Sequence, residues 1–305
     1  MAAHLYSPPM TAPRMFDARR VRRHRARAAA SPHDAAFLRE AVADDLADRL
    51  EGVNRTFARV LVIGGAKEFR SAVAIRPALR EKIDWVVAAD WHGENDGVEI
   101  DPEHLPFAEG RFDLVVSILA LHWVNDLPGA LIQIRHALKP DGLFLGTVFG
   151  GRTLNELREA LLAAESEIRG GAALRVAPLP DALDMAGLLQ RAGFALPVAD
   201  RDTTTVRYGD PLHLLRDLRA MGETSALADR APPLTRAILF RAMAIYAEKF
   251  EVDGRMPATF EIVTATGWSP HESQQKPLAP GSAKMRLADA LGVKDESAGE
   301  KPGEG

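Results

Sequence analysis

Cysteine is absent from all 305 residues. That excludes disulfides, cysteine zinc sites, cysteine-ligated iron–sulfur clusters and thiol nucleophiles, so any protein-bound metal would have to sit on histidine, aspartate or glutamate. No apolar run approaches the roughly 18 residues needed to span a bilayer. The arginine-rich beginning lacks the apolar core of a secretory signal, so the expectation is a cytoplasmic protein with no transmembrane segment. A dominant charge is also missing: 38 Lys and Arg stand against 42 Asp and Glu, a net charge of −4. No global field therefore points to nucleic acid, and none is expected as a partner. There is no Gly-x-Ser-x-Gly elbow, no P-loop and no internal repeat.

What is present is organised around Arg111 to Gly150. Phe112–Ser117 and Leu143–Phe149 are short apolar runs, apolar on both faces, and read as central parallel strands. Between them Leu127, Ala130, Leu131, Ile134 and Leu138 fall on one face of a helix, which Pro140-Asp141-Gly142 ends. That is one βαβ unit.

Upstream, the spacing predicts a helix over 34–50, a strand over 59–65 running into Gly64 and Gly65, and a helix over 72–79 interrupted near Pro77. A strand over 84–89 ends at Asp90, and a short strand over 97–100 is closed by Asp101-Pro102. Downstream come helices over 154–168, 181–192, 211–221 and 234–250, a threonine-rich strand over 196–208, and a strand over 259–266 expected to pair antiparallel with it. Strands alternating with helices argue for an α/β doubly wound parallel sheet. Three segments follow: an arginine-rich stretch over 1–33, a main domain over 34–293 with a cofactor-binding half (55–150) and a substrate or partner half (151–293), and a disordered tail over 294–305.

Seven arginines crowd residues 14–27: Arg14, Arg19, Arg20, Arg22, Arg23, Arg25 and Arg27. They read either as a contact for an acidic protein, RNA or anionic lipid, leaving peripheral membrane contact open, or as a solvated helix. An organelle-targeting sequence has the same composition.

Ligands of an open parallel sheet bind beyond the carboxyl ends of its strands. This places Gly64, Gly65, Asp90, Asp101, Pro102 and Ser117 under scrutiny, with His122 and Trp123 after the fourth strand as substrate or lid residues. Gly64 and Gly65 let a backbone approach a ligand, Asp90 is placed for ribose hydroxyls, and Asp101 for an exocyclic amine. Together they describe a nucleoside pocket. His92, Glu94 and His122 have the residue types of a two-histidine-one-carboxylate iron site, a pattern that arises easily by chance among nine histidines.

The stretches Asp101–Phe107, FDLVVS, LALHWVND and LKPDGLFLGTVFGG resemble the Rossmann-like, seven-stranded class I S-adenosylmethionine-dependent methyltransferases. Phe16-Asp17 with the arginines after it, LHWVNDLPG, FGGRTLNELREAL, Asp217–Glu223 and Gly267–Pro277 are similar to the methyltransferase-like assembly factors of respiratory complex I, with the malonyl-carrier-protein methyltransferases of biotin synthesis more distant. The resemblance implies that fold with helical additions, S-adenosylmethionine as cofactor, and a protein client, an iron–sulfur subunit of complex I that is hydroxylated on arginine or held during assembly. It implies the mitochondrial matrix if the source is eukaryotic. A genuine methyltransferase of a small or carrier-bound substrate, and a cofactor-free scaffold, are the alternatives. The Arg14–Arg27 segment and the Gly267–Pro280 loop are expected to touch the client.

The chain departs from that family at the first glycine motif. An acid within the strand and two glycines are replaced by Val62, Ala66 and Glu68. The Glu68 carboxylate would face the cofactor's own, so S-adenosylmethionine binding is expected to be weak or lost. Asp90 to Gly97 is also shorter than the dozen or so residues of an ordinary parallel crossover.

Overall fold

The computed structural model describes residues 14–31, 35–93, 97–229 and 231–275. Met1–His271 is one compact unit and Glu272–Gly305 a second. The tail and the 276–280 end of the Gly267–Pro280 loop fall outside the described residues.

Each segment expected to be a strand folds as one: β1 (Phe57–Ile63), β2 (Ile83–Asp90), β3 (Val98–Glu99), β4 (Phe112–Ile118), β5 (Leu138–Phe149), β6 (Ala195–Tyr208) and β7 (Met256–Trp268). They form one sheet in the order β3-β2-β1-β4-β5-β7-β6. All pairs are parallel except β7, which runs antiparallel between β5 and β6. Successive side chains of a strand alternate between faces. Val60, Val62, Leu114 and Val116 therefore join a core covered by α2 (Phe37–Glu51), α3 (Ala66–Ala74), α6 (Asn155–Arg169), α8 (Pro211–Ala220) and α9 (Arg236–Phe250). Leu61, Ile63 and Val115 pack instead with α5 (Leu127–Ala137) and α7 (Ala182–Arg191).

Three local outcomes differ from the sequence expectation, each with a cause. The helix expected over 72–79 is two: α3 begins at Ala66, because left-handed Gly65 (φ 61°) turns the chain straight out of the strand, and Pro77 starts a separate turn, α4 (Pro77–Arg80). β5 starts at Leu138, since residues 139–142 form a bulge between the Phe112–Leu138 and Leu114–Leu143 pairs. The short 90–97 connection does support a parallel strand: β3 pairs only at Ala89–Val98 and Asp90–Glu99, so the chain returns over just two residues.

The arginine-rich segment is a helix, α1 (Ala18–Ala29), capped by Asp17. It is not a free solvated arm. A strap of backbone bonds (Asp17 N to Ala226 O, Ala228 N to Met15 O) joins it to the 221–228 loop, and Val21, His24 and Arg25 are buried.

Candidate functional site

The carboxyl ends of β1, β2 and β4 meet where the sequence places a pocket. Gly64 and Gly65 both adopt positive φ (72° and 61°), which an L side chain tolerates poorly. A Cβ on Gly64 would lie 2.8 Å from Ile118 O, and one on Gly65 3.0 Å from the Ile118 side chain. The glycines are thus required by the neighbouring β4 end, whether or not a ligand approaches. Asp90 is buried beside them, and its Oδ1 accepts from Trp91 N at 2.6 Å. Burial drives its pKa up, against the opposing pull of Arg25 and the Trp91 N–H. The Trp91 ring is fully enclosed and donates to Ala120 O at 3.1 Å.

Above this floor the space is filled by the protein's own charges. Arg25 reaches down from α1 to Leu119 O (2.8 Å) and to Glu223 Oε1 (2.8 Å). Arg39 from α2 pairs with the buried Glu68 at 3.5 Å. Two voids of about 10 Å³ each lie here, one lined by Gly64, Gly65, Ala66 and Asp90, the other by Arg39, Leu119, Met221 and Glu223. That is room for at most a single water apiece. Neither void has room for S-adenosylmethionine in this arrangement.

Glu223 is the hub of the region. Its Oε1 meets Arg25, while Oε2 accepts from His122 Nε2 (2.9 Å) and Trp123 Nε1 (2.8 Å). Burial pushes this carboxyl up, but Arg25, His122 and the two hydrogen bonds outweigh it and hold it at about 2. A carboxylate can only accept, so His122 must carry its proton on Nε2. Its Nδ1, buried, has no hydrogen-bond partner among the described residues.

Beyond His122 and Trp123 lies the large space of this edge, a cavity of about 580 Å³. Leu157 and Leu161 of α6, Val176 and Leu179 of the following loop, and Leu212 and Leu215 of α8 make its walls, with Arg216 and Arg219 among its polar residues. Its size is that of an ordinary small-ligand site, about 300–1,000 Å³.

Of the residues singled out from sequence, Gly64, Gly65 and Asp90 share one void, and His122 and Trp123 line the cavity. Asp101 and Ser117 line neither. Asp101 accepts from Glu103 N (3.0 Å) and lies 3.7 Å from Arg22, while the following Pro102 is buried. Ser117 sits inside the sheet between Ile63 and Gly146, its hydroxyl without a hydrogen-bond partner among the described residues. No group of three His, Asp or Glu placed to hold a metal occurs among the described residues, of which Glu94 is not one. Arg25, Arg39 and Glu223 were not picked out as site residues. The signal for Glu223 was in hand, since an acid one position after the Gly222 turn closes a segment, Asp217–Glu223, that matches the family outside the generic fold.

Residues 79–146 match the family model described as Methyltransferase domain. The chain is similar to the mitochondrial arginine-hydroxylase NDUFAF5 of Danio rerio, 41% identical over 265 residues, which cover 83% of this chain and 81% of that protein. To the Homo sapiens protein of the same name it is 38% identical, covering 92% of this chain and 85% of the other. A malonyl-[acyl-carrier protein] O-methyltransferase of Xylella fastidiosa is 32% identical, with 84% and 89% covered.

Proposed function

We propose, from the premise that this chain belongs to the arginine-hydroxylase NDUFAF5 family and carries its methyltransferase-like fold, that it acts on a protein client in the manner of a respiratory complex I assembly factor. The client is an iron–sulfur subunit, modified on arginine or held while it folds, in the mitochondrial matrix if the source is eukaryotic. The same reading holds that the glycine cleft no longer serves S-adenosylmethionine. The observation that carries this last step is the filled cleft, with Arg25 on Leu119 O and Glu223, Arg39 on Glu68, and voids of only about 10 Å³ at Gly64–Asp90 and at Arg39–Glu223. A cofactor entering there would have to displace the buried Arg25 and the half-buried Arg39 from their partners, and uncovering the buried charges of Glu223 and Glu68 is costly.

Two measurements test this. Calorimetric titration with S-adenosylmethionine should give no saturable heat, and co-expression with the client subunit should give a complex, with a mass increase of one oxygen on a client arginine where modification occurs. Tight cofactor binding, or no capture of the client, would overturn the corresponding half.

A second reading, transfer of a methyl group to a carrier-bound or small substrate, is favoured by one observation: a largely apolar cavity adjoins the cleft at His122 and Trp123. Saturable S-adenosylmethionine binding and its conversion to S-adenosylhomocysteine with a carrier-bound acyl acceptor would decide for it.

A further inference from the structure

The cavity carries more than its position. Its walls are aliphatic side chains from three separate elements, whereas its charged residues are unequal in their engagement. Glu223 is saturated by Arg25, His122 and Trp123. Arg175 is held by Glu165, through Nε at 3.1 Å and Nη2 at 2.5 Å, and by Pro232 O at 2.6 Å. Arg216 and Arg219 are different: both line the cavity, both are exposed, and neither has a hydrogen bond or ion pair among the described residues. They mark its opening. A third cation stands beside them, for Arg27 donates to the hydroxyl of Thr224, itself a lining residue, and feels the charge of Arg219. No carboxylate on the cavity wall is free to balance these charges.

An aliphatic interior with uncompensated guanidinium groups at its mouth is complementary to one kind of molecule. We infer that the cavity binds an anionic amphiphile: an unbranched acyl or alkyl chain lies between Leu157, Leu161, Val176, Leu179, Leu212 and Leu215, and its carboxylate or phosphate is held at Arg216 and Arg219. Guanidinium matches either head group through paired N–H donors. The apolar walls reward each methylene taken from water. This assignment does not depend on which of the two functional readings holds, because it uses neither the cleft nor a client.

The test is calorimetry on the full chain, below the micellar range, with decanoate, dodecanoate, dodecyl phosphate and dodecanol. The expected result is saturable 1:1 binding of dodecanoate and dodecyl phosphate, with decanoate weaker by up to about fourfold per methylene removed. Dodecanol should bind at least tenfold more weakly than dodecanoate. Which of dodecanoate and dodecyl phosphate binds more tightly separates a free fatty acid from a single-chain phospholipid as the source. In Arg216→Gln/Arg219→Gln, exposed positions whose loss should leave the melting curve unchanged, dodecanoate should weaken at least tenfold and dodecanol little. Leu215→Trp, with folding checked by the same melt, should abolish binding of all four. Equal affinity for dodecanol and dodecanoate, an unaltered dodecanoate affinity in the double variant, or no binding of any probe would each overturn the inference.

Discussion

Replacing Glu223 by Gln keeps the shape of the side chain and removes its charge, which isolates what that charge does. In the native protein the carboxyl is held at about 2 against an ordinary 4.5, a difference worth about 3 kcal/mol at neutral pH. An independent route gives the same size: removing one partner of a buried ion pair leaves the other, here Arg25, uncompensated, at about 3–5 kcal/mol. For a chain of this size that lowers the melting temperature by roughly 5–10 °C. The sign with pH follows from the depression. A folded pKa below the unfolded one contributes stability above about 4.5 and loses it as pH falls toward about 2. The gap between native and Glu223→Gln proteins, measured by urea unfolding at a series of pH values, should therefore be about 3 kcal/mol at pH 7, fall to roughly half of that by about pH 3, and close toward zero at and below about pH 2. A gap under about 1 kcal/mol at pH 7, or one that does not change with pH, would refute the charge argument.

Asp90 should behave in the opposite sense. Burial raises its pKa, so its ionised form costs stability as pH rises, and Asp90→Asn should be neutral or stabilising at pH 7 in a thermal melt, with the difference vanishing at low pH. Gly64→Ala should cost about 2–3 kcal/mol in urea unfolding, because the new Cβ meets Ile118 O at 2.8 Å in a left-handed backbone; an unchanged midpoint would mean that the β4 end yields. Emptying the cleft with Arg39→Ala/Glu68→Gly, which removes a charge pair as a unit, should produce S-adenosylmethionine binding in a calorimeter where the native chain gives none. A continued absence of heat would show that Arg25 and Trp91 are sufficient to close it.

The sheet was legible because its information is local. Runs such as RVLVIGG and FDLVVS are apolar at consecutive positions, and only a strand covered on both faces uses such a run. Every strand expected from pattern is present, and the end strands paired as the alternation of Thr259–Thr266 suggested. The glycine pair was legible for its backbone but not for its purpose. Positive φ at Gly64 and Gly65 serves the close approach of Ile118 as directly as it would serve a ligand. A strand-to-helix turn cannot tell the two apart.

The occupant of the cleft was not legible, and the reason is physical. Arg25 was read with six other arginines as one charged stretch, yet a helix sends residues a turn apart to different surroundings. Arg14, Arg19 and Arg23 stay exposed, Arg22 leans toward Glu99 and Asp101, and Arg25 alone goes under cover to Glu223. What selects it is a carboxylate on a loop far along the chain, and no spacing rule within α1 encodes that partner. This bears on the expected client contact. Arg20, Arg22, Arg25 and Arg27 are engaged within the chain, so any client would meet Arg14, Arg19 and Arg23 first. Replacing those three by glutamine should weaken client capture more at low salt than at high, and should leave the melting temperature unchanged, because none of them has an ion pair among the described residues to lose. If capture at low salt is the same for both proteins, α1 serves the interior of the fold and not the client.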